Sequence, residues 1–467
     1  MSARDVVRDH GGPELLERLD HLERSRAARV PGGPPARGPD HRPDRGPDRG
    51  ASLDTDVVIA GGGLSLLLAP MLAARGLRVT VVERGTIGAT HREWNASGPE
   101  LAALVDSGLC SPAELEALIV ARYDRGVCRW HGGGSYTVRG VLDHAVDAGA
   151  LLALARARAI ERGVVLLDHH EVLGEREGPG GVSVRIRKTS ASAGIGEISA
   201  ALLVDARGAA SPYASADLVC PTVGGVLTDL DVDPTAGDIL ATIDDAEGGR
   251  QHVWEGFPGR AGETTVYLFY YARTQDVGPG SLCALYARFF ATRPQYARGE
   301  GRMLRPTFGY IPGWSRLSPA PAAPSARVML FGDAAARHSA LTYCGFGSML
   351  RALVPAADAI TRADPRHLAD APIHAGTGAL SALMSEPQRD PRALNELLDA
   401  AFATLAEMGN ESYAALLQDR MSPGDFITFL RKTARRHPAV YREIIARLGP
   451  MKVGRWGAGL ATAWARA

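Results

Sequence analysis

The 467-residue sequence predicts an α/β fold: a largely parallel sheet flanked by helices, a β-rich insertion, and a helical C-terminal region. Three observations predict it. Strand-length apolar runs alternate with longer helical patterns from Asp54 to about residue 208. Residues 213–325 change texture, with strands punctuated by Pro and Gly. From about residue 349 the chain is Arg/Ala/Leu-rich and helical to its end.

The elements follow in order. Residues 1–29 are charged, with Leu15, Leu16, Leu19 and Leu22 at helical spacing, so a short amphipathic helix fits there. Residues 30–52 hold a Pro/Gly/Arg/Asp-rich near-repeat that lacks apolar surface to offset its ordering entropy. The whole of 1–52 is therefore expected to be a charged, disordered tail. DVVIA (56–60) reads as a buried strand, Leu64–Arg75 as a helix, and LRVTVVE (77–83) as a second strand. Helices at 112–124 and 148–162 follow, then sheet at 164–177 and 181–190, ending in ALLVDARG (201–208). HVWEGFP (252–258) and TTVYLFYYAR (264–273) are strands of the insertion, and ARVMLFGDAA (326–335) returns to the first texture.

Composition excludes several classes. Lys+Arg and Asp+Glu number 52 each, so no global field draws the chain to nucleic acid. The five cysteines, Cys110, Cys128, Cys220, Cys283 and Cys344, form no CxxC pair, so neither a disulfide framework nor a metal site is expected. A signal peptide is not apparent, and a cytoplasmic location fits. Val57–Ala74 is uncharged over 18 residues, long enough for a membrane span. Its three consecutive glycines, Gly61, Gly62 and Gly63, argue otherwise, since each weakens a helix by about 1 kcal/mol relative to Ala.

Those glycines suit a tight turn between strand and helix. There the missing side chains let a diphosphate reach backbone N–H groups at a helix N-terminus. Glu83, 22 residues after Gly61, closes the second strand, where an acid accepts from an adenosine ribose. A dinucleotide site is the result. Leu66 stands where the G-x-G-x-x-G pattern has its third glycine, which permits close helix–sheet packing. Two later motifs specify the dinucleotide. Asp205 and Gly208 follow one strand. Gly332 and Asp333 follow another, ahead of Gly345-Phe346-Gly347 and a helix. This ordered set looks like the FAD-binding fold of aromatic hydroxylases and geranylgeranyl reductases.

A narrower resemblance rests on Arg92-Glu93-Trp94-Asn95-Ala96-Ser97, Gly61-Gly62-Gly63-Leu64-Ser65, VWEGFPG (253–259) and GDAAARHSALTYCGFGSMLR (332–351). Over about 52–457 the chain resembles CruA/CruP-type lycopene cyclases. Departures are Ala96, Ser65, Arg337 and Ala340. The resemblance implies a Rossmann-like FAD-binding domain (53–212 and 326–370), an inserted β-rich substrate domain (213–325) and a helical C-terminal region (371–467). It places Gly61, Gly62, Gly63, Leu64, Ser65, Glu83, Arg84, Arg92, Asp205, Gly208, Gly332, Asp333, Gly345 and Gly347 around FAD.

It also implies a redox-neutral enzyme reaction. An acid protonates a terminal double bond of a linear carotenoid, a ring closes, and a proton leaves. Glu255 is the candidate acid, in an apolar strand beside Trp254 and Phe257, where desolvation raises a carboxyl pKa. The bland alternative pairs Glu255 with Arg260 or Arg273. Likewise Arg92 and Glu93 either contact FAD or form a buried ion pair under Trp94. The stripe Tyr267, Phe269, Tyr271 is core or polyene groove, and LRKTARRHP (430–438) is a solvated face or a rest on anionic lipid. Two other functions remain open: an NAD(P)H-dependent monooxygenase or isoprenoid reductase, and a non-catalytic flavin-fold binder of lipid or partner. Oligomeric state is not legible.

Overall fold

In the computed structural model the described residues are 2–27, 47, 48, 50, 52–190, 194–214, 216–315, 317, 325–336, 341, 342, 345–362 and 375–466. Most of the linker 30–52 lies outside them, as do Arg337, Ala340 and Cys344.

The apolar strand Thr55–Ala60 lies at the centre of a seven-stranded sheet. Val79–Val82 and then Val165–Leu167 pair parallel on one side, and Ile195–Asp205 pairs parallel on the other. Ile195–Asp205 is long enough to serve two neighbours. Its first half pairs antiparallel with Val182–Lys188, itself joined to His170–Glu177, and its last residues pair parallel with Val328–Leu330. Strands Thr55–Ala60, Ile195–Asp205 and Val328–Leu330 therefore end at the same edge, where ligands of open α/β sheets bind. The helices Leu68–Ala74, Ala148–Glu161 and Gly345–Thr361 pack on one face through Leu72, Leu151 and Leu353.

The uncharged 57–74 segment is thus strand, turn and helix, and among the described residues no helix is long and apolar enough to cross a membrane. Leu66 is fully buried, and the turn enters the helix through a 3-10 segment, Leu64–Leu67. Its side chain packs among the residues of the first core cluster, near Gly88.

An eight-stranded second sheet holds Leu218–Asp231, Ala236–Ala241, His252–Pro258, Glu263–Tyr270, Ala272–Arg273 and Arg298–Gly313. It also recruits Arg125–Arg129 and Ser135–Val138, which sequence texture assigns to the first unit. Residue alternation divides its faces. Trp254, Val266 and Leu268 pack under the helix Ser281–Tyr296, while Val253, Phe269 and Tyr271 meet the C-terminal helices Ala393–Met408 and Pro423–Arg436.

Two expectations are corrected. The helix expected over 112–124 stops at Leu118; Ile119–Arg122 is a strand, because His144–Val146 offers its β-branched start an antiparallel partner. Nor is residue range 1–52 a disordered tail throughout. Ala3–Ala27 is helix, broken at Gly12 (φ 78°) before Pro13. Val6, Val7 and Leu19 are fully buried against the second sheet and the Ser281–Tyr296 helix. Glu23 caps that helix, its Oε1 accepting from Leu282 N at 3.0 Å. Leu19→Ala is expected to cost about 2–5 kcal/mol in a denaturant titration, as a core truncation does. A change under about 0.5 kcal/mol, normal for a surface tail, would show the helix to be dispensable.

Candidate functional site: three glycine loops and a buried carboxyl

The three expected loops meet at the strand edge. Gly61 has φ 114°, and a Cβ there would lie 2.5 Å from the Ala206 carbonyl oxygen. Gly62 is closed in by Glu83 and Ile87, whereas a Cβ on Gly63 would have nothing within 4 Å. Gly208 (φ 60°) and Gly345 both approach Asp333, their would-be Cβ atoms 3.6 Å from its Cβ and Oδ1. Gly332 (φ 60°) backs onto Met349. The result is a cradle open on the Gly63 side. The N–H groups of Gly63, Leu64 and Ser65 have no acceptor among the described residues, as in the first turn of any helix. These residues fit a diphosphate.

Individual side chains behave less uniformly. Glu83 accepts from Gly62 N at 2.8 Å and from Gly85 N at 2.9 Å, so it braces the turn and has lone pairs left for hydroxyls. Ser65 turns inward, donating from Oγ to the Gly61 carbonyl at 2.7 Å, and Leu64 packs toward the core; only their backbones face the cradle. Asp205 is fully buried. Its carboxylate is taken by the Arg207 guanidinium (2.8 Å) and the Ser211 hydroxyl (2.7 Å), so the side chain holds its own loop rather than a cofactor. Gly347 makes room for the Glu100 carboxylate, which pairs with Arg351. Arg84 contacts His21 of the N-terminal helix at 2.7 Å. Arg92 lies against Gly309, where a Cβ would meet its guanidinium.

The His91–Asn95 run links this cradle to the second sheet. All five residues keep partial solvent access. Burial, with Arg18 and Arg92 nearby, lowers the His91 pKa to about 3 and keeps the ring neutral. Arg92 and Glu93 do not pair. Glu93 meets Arg305 at 3.4 Å, and its pKa rises because desolvation outweighs that cation. Trp94 stacks on Phe346 (5.0 Å between centroids, 22° between planes), joining the R-E-W-N and G-F-G-S segments. Asn95 Nδ2 then reaches Tyr123 OH at 3.2 Å and Glu255 Oε1 at 3.3 Å.

Glu255 has no cationic partner among the described residues, since Arg260 pairs with Asp147 and Arg273 with Asp276. Desolvation raises its pKa to about 8, with Asn95 pulling the other way. The side chain nonetheless retains some accessibility. Glu255 is thus desolvated without being wholly shut off from its surroundings. Phe257 shares its face, with Tyr267 directly across the strand pair. The Tyr267 and Phe257 rings are 6.3 Å apart. The Tyr267 hydroxyl donates to Glu93 O (2.9 Å) and accepts from Glu93 N (3.1 Å), which fixes the ring. Trp254 points the other way, stacked on Tyr296 at 4.6 Å, so it lies on the opposite face of the strand from Glu255. Tyr123 escapes a reading of the sequence; the aromatic stripe signals Tyr267, and the R-E-W-N run signals Asn95.

The basic run 430–438 is partly spent within the fold: Arg436 meets Glu407 at 2.5 Å and His437 meets Glu443 at 2.9 Å. Among the described residues no cluster of three or more His, Cys, Asp or Glu could hold a metal.

Neither a protein-family model nor a curated protein matches the chain. Solved structures do. A geranylgeranyl bacteriochlorophyll reductase-like protein of Thermoplasma acidophilum is 16% identical, with TM-score 0.56, covering 85% of this chain and 99% of that one. The halogenase PltM is 11% identical, with TM-score 0.56 and coverage of 86% and 96%. OxyS anhydrotetracycline hydroxylase of Streptomyces rimosus is 18% identical, with TM-score 0.53 and coverage of 78% and 75%. The halogenase has also been solved with FAD. The fold is therefore one shared with a geranylgeranyl reductase-like protein, a halogenase solved with FAD and a hydroxylase.

Proposed function

We propose that this chain is an FAD-dependent enzyme that protonates and cyclises a carotenoid or related isoprenoid polyene. The fold and the glycine cradle support FAD, and the lycopene-cyclase-like motifs support the substrate class. The observation that carries the reaction is Glu255: an acid with a pKa of about 8, without a cation partner among the described residues, beside two aromatic rings.

Below that pH the carboxyl keeps its proton and can deliver it to a terminal double bond. The Phe257 and Tyr267 faces then stabilise the cation through their π-electrons. Asn95 orients Glu255 through Oε1. Bound reduced FAD supplies an electron-rich surface to a cation. The polyene is reached from a membrane surface, since it dissolves in lipid.

A second reading keeps the fold and changes the reaction to NAD(P)H-dependent reduction or hydroxylation; the reductase-like and hydroxylase neighbours favour it. Expression in a lycopene-accumulating host, with pigments separated by chromatography, tests the first reading. A cyclised product without stoichiometric NAD(P)H use is expected. Unchanged lycopene beside a folded, yellow protein would sink the cyclase reading, and continuous NAD(P)H consumption would move it to the second. A colourless protein that takes up no FAD would leave only a non-catalytic binder.

A further inference from the structure

The N-terminal helix does more than fill a core. Leu19 is buried in the second domain's core and Glu23 caps the Ser281 helix, so Ala3–Ala27 is pinned at that end. One turn earlier on the helix face that carries His21 stands Arg18, and His21 is in contact with Arg84 at 2.7 Å. Arg84 directly follows Glu83, whose carboxylate holds Gly62 N. The helix thus lies beside the glycine cradle, on the side of the ribose-binding carboxylate.

Arg18 makes no hydrogen bond or ion pair among the described residues. Its side chain is exposed, yet burial lowers its pKa, and Arg92 and Arg84 lower it further. Arg18 stands three residues before His21, on the helix face that meets Arg84, so it sits next to the segment that carries Glu83. Of the charges that reach Arg18, two are cations and only Glu83 is opposite. Glu83 already serves two backbone N–H groups, and nearby His91 is neutral. Arg18 from the N-terminal helix and Arg84 and Arg92 from the connection after Val79–Val82 thus gather with Glu83 as the one carboxylate that acts on Arg18. Unmatched cations beside an open glycine turn call for an anion of comparable charge, and a diphosphate supplies one.

We infer that Arg18, carried to the edge of the glycine cradle by the N-terminal helix, binds the diphosphate of the dinucleotide together with Arg84 and Arg92. The inference rests on the FAD reading. It makes the helix a strap on the cofactor: the segment that the sequence presents as a tail supplies a phosphate ligand from outside the Rossmann-like domain.

The test is flavin-fluorescence quenching with the full chain stripped of flavin, titrated with FAD and with riboflavin, which lacks phosphate. Arg18→Ala is expected to raise the Kd for FAD about tenfold or more and leave riboflavin unchanged, with partial recovery in Arg18→Lys. The salt sensitivity of FAD binding falls in the variant, because one screened charge contact is gone. FAD affinity and salt sensitivity equal to wild type would overturn the inference and leave the FAD reading intact. A loss confined to NADPH, titrated into FAD-loaded protein, also overturns it, by assigning the cations to another nucleotide. Wild-type protein that binds no FAD would overturn both. Because Arg18 is exposed and unpartnered, its melting temperature should stay near wild type. If it drops, the riboflavin arm still separates lost phosphate contact from a damaged fold.

Discussion

Glu255→Gln is expected to give a folded, flavin-loaded protein whose polyene conversion falls by about 100- to 10,000-fold, the usual contribution of a positioned general acid. Gln keeps the shape and still accepts from Asn95, but it carries no transferable proton. The pH dependence is specific. Wild-type activity should decline as pH rises through about 8, where Glu255 ionises. A profile falling near the ordinary carboxyl value of about 4.3 would show Glu255 solvated and unsuited to the role.

The same group sets a stability signature that needs no substrate. In the folded chain its pKa is raised, so the native state holds a proton that the unfolded state releases above the ordinary value of 4.5. That contribution is fully present below the unfolded value and is lost as pH climbs toward about 8. Wild type should therefore weaken by up to about 4 kcal/mol between pH 5 and pH 9 relative to Glu255→Gln, which has nothing to ionise. Thermal melts of both proteins at the two pH values measure it. Parallel pH curves would show that the carboxyl is not desolvated. Cyclisation at the wild-type rate by Glu255→Gln would remove Glu255 as the acid whatever the melts say.

The second large effect is expected from Gly61→Ala. At φ 114° an L side chain is strained, and its Cβ would sit 2.5 Å from a carbonyl oxygen of the neighbouring loop. Backbone of a parallel strand end cannot yield as a flexible side chain does. Strain and overpacking together cost about 2–5 kcal/mol, and any relaxation displaces Ala206 and the Gly208 loop behind it. The variant should melt several degrees lower and purify with little flavin absorbance near 450 nm, on the order expected for a lost cofactor. Wild-type melting and full flavin content would show that the Gly61 approach does not limit the cradle.

Much of this was legible in the linear chain because the signals are local. The strand–turn–helix at 55–74 needs only an apolar run, three glycines and a helical pattern, and all are contiguous. Two other glycine loops follow the same logic at Gly208 and Gly332, both with positive φ. Glu255 was legible as an acid among apolar residues for a similar reason. What it pairs with was not: Arg260 and Arg273 are near in sequence but engaged elsewhere, and Asn95 arrives from 160 residues away. Asp205 reads as a cofactor ligand from its motif, yet Arg207, two residues on, takes its carboxylate. Ile119–Arg122 reads as helix until a partner strand exists.

By itself the sequence determined the α/β class, the three glycine turns and the chemical type of the acid. These depend on backbone freedom and on the period of apolar residues, which neighbouring positions fix. Tertiary structure alone decided which side of the second sheet Trp254 faces, which group contacts Glu255, and that Ala3–Ala27 packs into the fold with His21 on Arg84. Desolvation and charge depend on what surrounds a group in space, and most of those surroundings come from distant parts of the chain.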